Sequence, residues 1–329
     1  RSANETSATD EIINIKGVLT VGDHEITMGY DTIDKFVSNL FISREDGKYT
    51  FEGVDNFEAG IPSFFRFNQS ATGNPYDAAA AFSGTFKTLY IQDKMYVSDI
   101  LTVLAGVRLD TFAMDNGPAY NASASETLGF SNATPAKSRI LQPRVGFNLD
   151  ATDLMFSDSN RVVSAELRGG IGLFAGRVPN VWLASPFSNT GVSTYGARYY
   201  SPCPVAGDPT CFYGDVNLFE LIPPGSVSPG GAEGIDPNYE TPSTWKTSIE
   251  LDLVTSKGYN LRLAYNRDDA KEGIGFYDAS HTVDQASPTG IVSYNGYGHT
   301  VITNAEGTSS ESMTFGFDKE FDNGTNVFM

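Results

Sequence analysis

Arg139-Ile-Leu-Gln-Pro-Arg-Val-Gly-Phe-Asn-Leu-Asp150 alternates without a break: Leu141, Pro143, Val145, Phe147 and Leu149 fall on one side, Gln142, Arg144, Gly146, Asn148 and Asp150 on the other. Successive side chains of a strand point to opposite faces, so this stretch reads as a strand with one apolar face. The rule recurs outward from it. Leu101, Val103, Ala105, Val107 and Leu109 oppose Thr102, Gly106, Arg108 and Asp110, with Leu104 the exception. Val163, Ala165, Leu167, Ile171 and Leu173 oppose Ser164, Glu166, Arg168, Gly170 and Gly172. Residues 245–253 and 259–267 repeat it, and no comparable stretch keeps a helical period. The fold class is all-β.

These segments run about nine to thirteen residues, longer than the usual soluble strand of about 5–6 and close to the roughly 9–11 that cross a bilayer at a tilt. Short connections at 20–23, 97–100, 255–258 and 322–324, and a longer one at 151–160, separate strands that include 84–97, 99–111, 243–254, 258–268 and 311–321. Asn-Gly and Gly-Asp steps supply the positive φ that tight hairpins need. Between them lie irregular stretches at about 43–83, 112–138, 176–242 and 269–310. Short and long connections alternate strictly. A sandwich has no reason for this, whereas a transmembrane barrel has short periplasmic turns and long outer loops.

Composition agrees by exclusion. With 22 Lys+Arg against 40 Asp+Glu the formal charge is −18, which argues against a nucleic-acid partner. No run of eighteen apolar residues offers a transmembrane helix, but alternating strands never produce one. The apolar face fits either a soluble core or lipid. In the lipid case Arg108, Asp110, Arg144, Glu166, Arg168, Glu250, Asp252 and Arg262 line a hydrated lumen; a solvated sheet face accommodates them too. Aromatics near strand ends (Tyr90, Tyr96, Phe112, Trp245, Tyr259, Tyr265, Phe315 and Phe321) suit headgroup level, though aromatics are also good strand formers. Taken with the loop alternation, these features favour a membrane barrel.

The run Leu141-Gln-Pro-Arg-Val-Gly-Phe-Asn148, then Leu167-Arg-Gly-Gly-Ile-Gly-Leu-Phe-Ala-Gly-Arg-Val-Pro-Asn-Val-Trp182 and Asn189-Thr-Gly-Val192, resembles the barrel of TonB-dependent outer-membrane receptors. The likeness is greatest to the Oar-like branch, whose members carry a carboxypeptidase-regulatory-like domain before plug and barrel. Val21-Gly-Asp-His-Glu-Ile-Thr-Met-Gly-Tyr30, Leu89-Tyr-Ile-Gln-Asp-Lys94 and Pro242-Ser-Thr-Trp-Lys246 support it. The resemblance implies an antiparallel transmembrane β-barrel segment of about ten strands, against about 22 in a whole plugged barrel. On this reading residues 1–329 are part of one barrel domain cut at both ends, with plug and regulatory domain absent. It implies a bacterial outer-membrane location, capture of an extracellular ligand, import driven through TonB, and no bond-making chemistry. Partners implied are outer-membrane lipid, TonB through the missing plug, an extracellular ligand and a surface lipoprotein. The alternatives are a passive porin or adhesion barrel, and a soluble carbohydrate-binding β-sandwich.

Candidate sites are few, and no cofactor is expected. Gly170, Gly172 and Gly176 miss the dinucleotide spacing by one residue. His24, His281 and His299 have no metal-ligand spacing and read as surface residues; no Gly-x-Ser-x-Gly elbow occurs. Cys203 and Cys211, inside the longest loop, are expected to form a disulfide in an oxidising compartment. Tyr195, Tyr199, Tyr200, Phe212 and Tyr213 cluster around them as ligand-contact candidates. Asp268, Asp269 and Glu272 form an acidic knot that could hold Ca²⁺, although a solvated cluster explains it as well.

Overall fold

The computed structural model describes residues 2–176, 179–200, 231–283, 292–294 and 298–329. Its first strands are β1 (Ala3–Val21), β2 (His24–Ile42), β3 (Lys48–Thr50), β4 (Phe64–Ser70), β5 (Ala80–Ser98) and β6 (Leu101–Met114). β7 (Lys137–Asp150), β8 (Val162–Ala175), β9 (Thr194–Tyr200), β10 (Gly234–Ile235), β11 (Ser243–Thr255) and β12 (Tyr259–Asp278) follow. β13 (His281–Val283), β14 (Val292–Tyr294), β15 (Thr300–Ala305), β16 (Ser309–Glu320) and β17 (Asn326–Phe328) complete the series. One 12-stranded sheet carries the path β1-β2-β5-β6-β7-β8-β11-β12, with β16 and β17 and, separately, β15 and β10 continuing from β12. All its long pairs are antiparallel.

At one end the hairpins are tight. Val21 pairs with His24, so only Gly22 and Asp23 turn the chain, Gly22 at φ 56°. Gly258 at φ 70° and Gly324 at φ 79° serve the same purpose in their turns. The turn after β7 is longer and holds helix α3 (Thr152–Phe156).

The other end departs from expectation. Strands β1, β2 and β5 are 19 residues and β12 is 20, well beyond thirteen. The expected irregular loops also hold structure: short helices α1 (Val54–Glu58), α2 (Ala122–Leu128) and α4 (Asn180–Ser188), and a separate three-stranded sheet β3-β4-β9. β9 pairs with β4 across some 130 residues of sequence, Phe65 opposite Tyr199.

The register explains why the strands outrun their apolar stripe. Cross-strand pairing puts Leu89, Leu109 and Leu141 in one row on one face, and Thr88, Asp110 and Ile140 in the next row on the other. The first face is apolar through the middle of the sheet and nothing described covers it: Leu89 is 59% exposed, Leu141 58% and Phe315 56%. Toward the long-loop end this face turns polar at Lys87, Thr111 and Arg139. There the opposite face turns apolar, at Val37, Phe82, Phe86, Phe112 and Met114. Helix α4 lies over that second patch through Leu183, Ala184 and Phe187, making the largest buried cluster. Phe187 meets Phe82 at 5.3 Å between ring centroids.

Two readings are corrected by this geometry. A soluble sandwich would bury the apolar mid-strand face, and that face is bare. Tyr90, Tyr96 and Phe112 share the face of Thr88 and Asp110, so they are no part of a lipid-level belt; Phe112 stacks on Phe86 at 4.4 Å inside the cluster.

Candidate functional site

The polar rows on the inner face of the sheet, continuous with the α4 cluster, form the candidate site. Arg108 and Asp110 are two apart on β6 and so share a face: Arg108 Nε donates to Asp110 Oδ1 at 2.8 Å and Oδ2 at 3.0 Å. Thr88 Oγ1, across on β5, donates to Asp110 at 2.7 Å and accepts from Arg108 Nη2 at 3.0 Å. Gln142 on β7 donates to Asp110 Oδ2 at 2.6 Å, while its own oxygen accepts from the Ala175 amide at 2.9 Å. Gln142 is 1% exposed, so its amide needs this full set of partners. Arg144, two residues on, lays its guanidinium over Phe174 at 4.5 Å.

A second network lies nearer the tight turns. Arg168 of β8 bridges Glu250 at 3.1 Å and also Asp252; Arg262 of β12 reaches the same two carboxylates at 3.2 and 2.9 Å. Glu166 accepts from Asn148 at 2.7 Å. The structure thus brings six of the eight charged candidates into two ion-paired groups on one face; Arg144, between them, donates to Gln142 at 3.4 Å, and Glu166 is bonded to an amide rather than to a cation. Thr88 and Gln142 were not singled out from sequence, although Gln142 stands on the polar side of the opening stretch.

The first network borders a cavity of about 350 Å³ between sheet and helix. Asp31, Thr88, Arg108 and Asp110 supply its polar wall; Phe86, Phe112 and Leu183 supply the apolar one. Farther down, Gly146 and Gly170 pair directly and leave an open groove along the wall. Gly170 and Gly172 are therefore mid-strand residues rather than a phosphate-binding turn, although α4 does follow them.

Other candidates fare differently. Tyr195 and Tyr199 pack on Phe65, Phe67 and Ala197 in the β3-β4-β9 sheet, Tyr199 stacking on Phe65 at 6.2 Å. The side chain of Tyr200 and residues Cys203, Cys211, Phe212 and Tyr213 lie outside the described residues, as does the side chain of His281. The acidic knot comes apart. Asp268 and Asp269 are neighbours on β12 and face opposite ways, Asp268 to Lys246 at 3.2 Å and Asp269 to Arg267 at 2.7 Å. Glu272 lies 4.0 Å from Lys271. His24 contacts Asp93 at 2.7 Å beside a tight turn, and His299, expected at the surface, is only 8% exposed.

A family model described as an outer membrane beta barrel domain matches residues 2–328. The chain belongs to this family. The outer membrane beta-barrel domain accounts for the bare apolar face, which meets lipid, and places the protein in the bacterial outer membrane with its long loops outside. Among solved structures it is similar to the outer membrane transporter YddB from Escherichia coli, at TM-score 0.54 and 13% identity, covering 95% of this chain and 31% of that one. It is also similar to the copper transporter OprC, at TM-score 0.52 and 12% identity, covering 98% and 36%. The FrpB iron transporter from Neisseria meningitidis gives TM-score 0.50 and 10% identity, covering 97% and 35%. The chain spans about a third of the length of these structures. No curated protein sequence matches it. At such identities the likeness is one of fold alone.

Proposed function

We propose that this barrel domain belongs to a TonB-dependent receptor that captures an extracellular solute in its loops and passes it to the periplasm. The observation that carries this reading is the loop layer. The long connections fold into an ordered sheet and helices, and α4 seats its apolar side on the inner face, so the outer end of the wall is a built chamber rather than a clear channel. The transporters it resembles in fold support the same reading. The Oar-like run at 141–192 makes that branch the nearest assignment. On this view the two charge networks line the lumen and meet the plug, lipid covers the Leu89–Leu141–Phe315 face, and energy arrives through TonB. A surface lipoprotein over the loops would complete the assembly.

The test is genetic. Strains lacking this gene, or lacking tonB, are grown on a panel of metal, peptide and oligosaccharide sources. A growth defect shared by both strains on one source supports the receptor. A defect confined to the gene deletion, together with open-channel conductance of the purified protein in planar bilayers, makes it a passive porin instead.

A further inference from the structure

The small outer sheet β3-β4-β9 carries an unusual row. Lys48 pairs with Arg66, and Arg66 pairs with Arg198, so three cations stand directly opposite one another across three antiparallel strands. Partners in such a row are about 5 Å apart at Cα, and like charges directly opposite one another are destabilising. The chain has 40 Asp+Glu against 22 Lys+Arg, so carboxylates to neutralise such a row are plentiful. Yet none of the three cations makes an ion pair with a carboxylate among the described residues. Lys48 and Arg198 are exposed, and Arg66 is half-buried with its guanidinium 5.9 Å over the Phe64 ring.

The scaffold beneath the row is closely packed. Its opposite face is the aromatic cluster in which Phe65 and Phe67 are each 1% exposed and Tyr49 stacks on Phe65 at 4.4 Å. The neighbouring Asn68 is fixed by Ser43, whose backbone oxygen accepts at 2.7 Å.

We propose that Lys48, Arg66 and Arg198 form an anion-binding site in the outer loops that takes a multiply charged oxyanion of the phosphate or carboxylate kind. Two guanidiniums present planar forks suited to bidentate oxyanion contacts, and the lysine adds a point charge beside them. An arriving anion relieves the repulsion between the three like charges. The site rests on the receptor reading only for the claim that the captured anion then travels inward; binding itself does not depend on it.

The experiment follows melting of the detergent-solubilised protein with inorganic pyrophosphate, with citrate, and with lipopolysaccharide micelles, at low and high salt. The site predicts a rise in melting temperature with at least one of these anions, suppressed by salt. The R66Q/R198Q double variant should lose at least tenfold in affinity for it. Without anion, the R198Q single variant should melt no lower than the parent, because it removes a like-charge contact. Response to pyrophosphate or citrate assigns a soluble ligand; response to lipopolysaccharide alone assigns the phosphates of the surrounding outer leaflet. Unchanged binding by R66Q/R198Q, no response of the parent to any of the three anions, or a lower melting point of R198Q without anion would each overturn the site. Binding of a soluble anion without TonB-dependent uptake leaves the site standing and removes only the receptor reading.

Discussion

At the scale of single residues the inner wall is specified by completeness of hydrogen bonding. Asp110 accepts from Arg108, Thr88 and Gln142 at once, so its removal orphans a half-buried guanidinium and a buried amide together. Asp110→Ala should cost about 2–3 kcal/mol, because hydrogen bonds to charged groups are worth roughly 1.5–3 kcal/mol. Urea titration of the reconstituted protein measures this, and a cost near zero would show that water replaces the carboxylate freely. Tyr239 argues the opposite case. Its hydroxyl is buried in the α4 cluster without a partner among the described residues, and burial pushes its pKa up to about 12. Tyr239→Phe should therefore be neutral or stabilising by about 1 kcal/mol at pH 7. Because the folded phenol holds its proton more tightly than the unfolded one, the stability this linkage supplies is complete below pH 10. It is lost as pH rises toward 12. The parent should weaken over that window more than Tyr239→Phe does, as read by melting temperature against pH.

At the scale of elements the alternation of two decides which side of each strand meets lipid, and a one-residue step reverses it. Ile249 stands on the bare face and is 46% exposed, whereas Ser248 lines the inner groove. A charge at the bilayer midplane on the lipid face costs about 2–4 kcal/mol, and one in the lumen does not. Ile249→Arg should lower folding stability in vesicles by that amount, and Ser248→Arg by under about 1 kcal/mol. Equal costs would place both faces in one environment. The same alternation made β6, β7, β8, β11 and the first half of β12 legible in the sequence, because lipid demands an apolar residue at every second position. It failed at the outer strand ends. Beyond Lys87 and Thr111 the outer side turns polar while Phe86 and Phe112 on the inner side meet α4, so the pattern inverts and reads as a loop with stray aromatics. The β3-β4-β9 sheet was illegible for a different reason. Phe65 and Tyr199 become neighbours only after folding, and each strand alone is too short and too far from its partner to announce the pairing. Asp268 and Asp269, adjacent in sequence, are parted by the alternation of the strand, one facing Lys246 and the other Arg267.

At the scale of the molecule the sheet has two edges. The side of β1 away from β2 pairs with no described strand, and β17 covers only the end of β16, from Asp318 to Glu320. An open edge leaves backbone donors and acceptors without partners, which lipid does not tolerate and water converts into intermolecular pairing. β1 is a severe case: it is 19 residues long, and Ile12, Ile13 and Ile15 are each more than half exposed. Residues 1–329 produced alone in detergent should therefore self-associate through these strands and elute well above the mass of one chain. Introducing Pro at Ile12, in the middle of β1, should reduce that association: Val21 and His24 form the hydrogen-bonded pair that closes the turn, so the amide of Ile12 points away from β2 and proline removes a donor at the open edge. A monomeric species whose mobility on a denaturing gel shifts with heating would mean that the strands close on themselves. The wall described here would then be a complete barrel. Self-association that the Ile12 substitution relieves would instead make β1 a seam, a place where further strands belong.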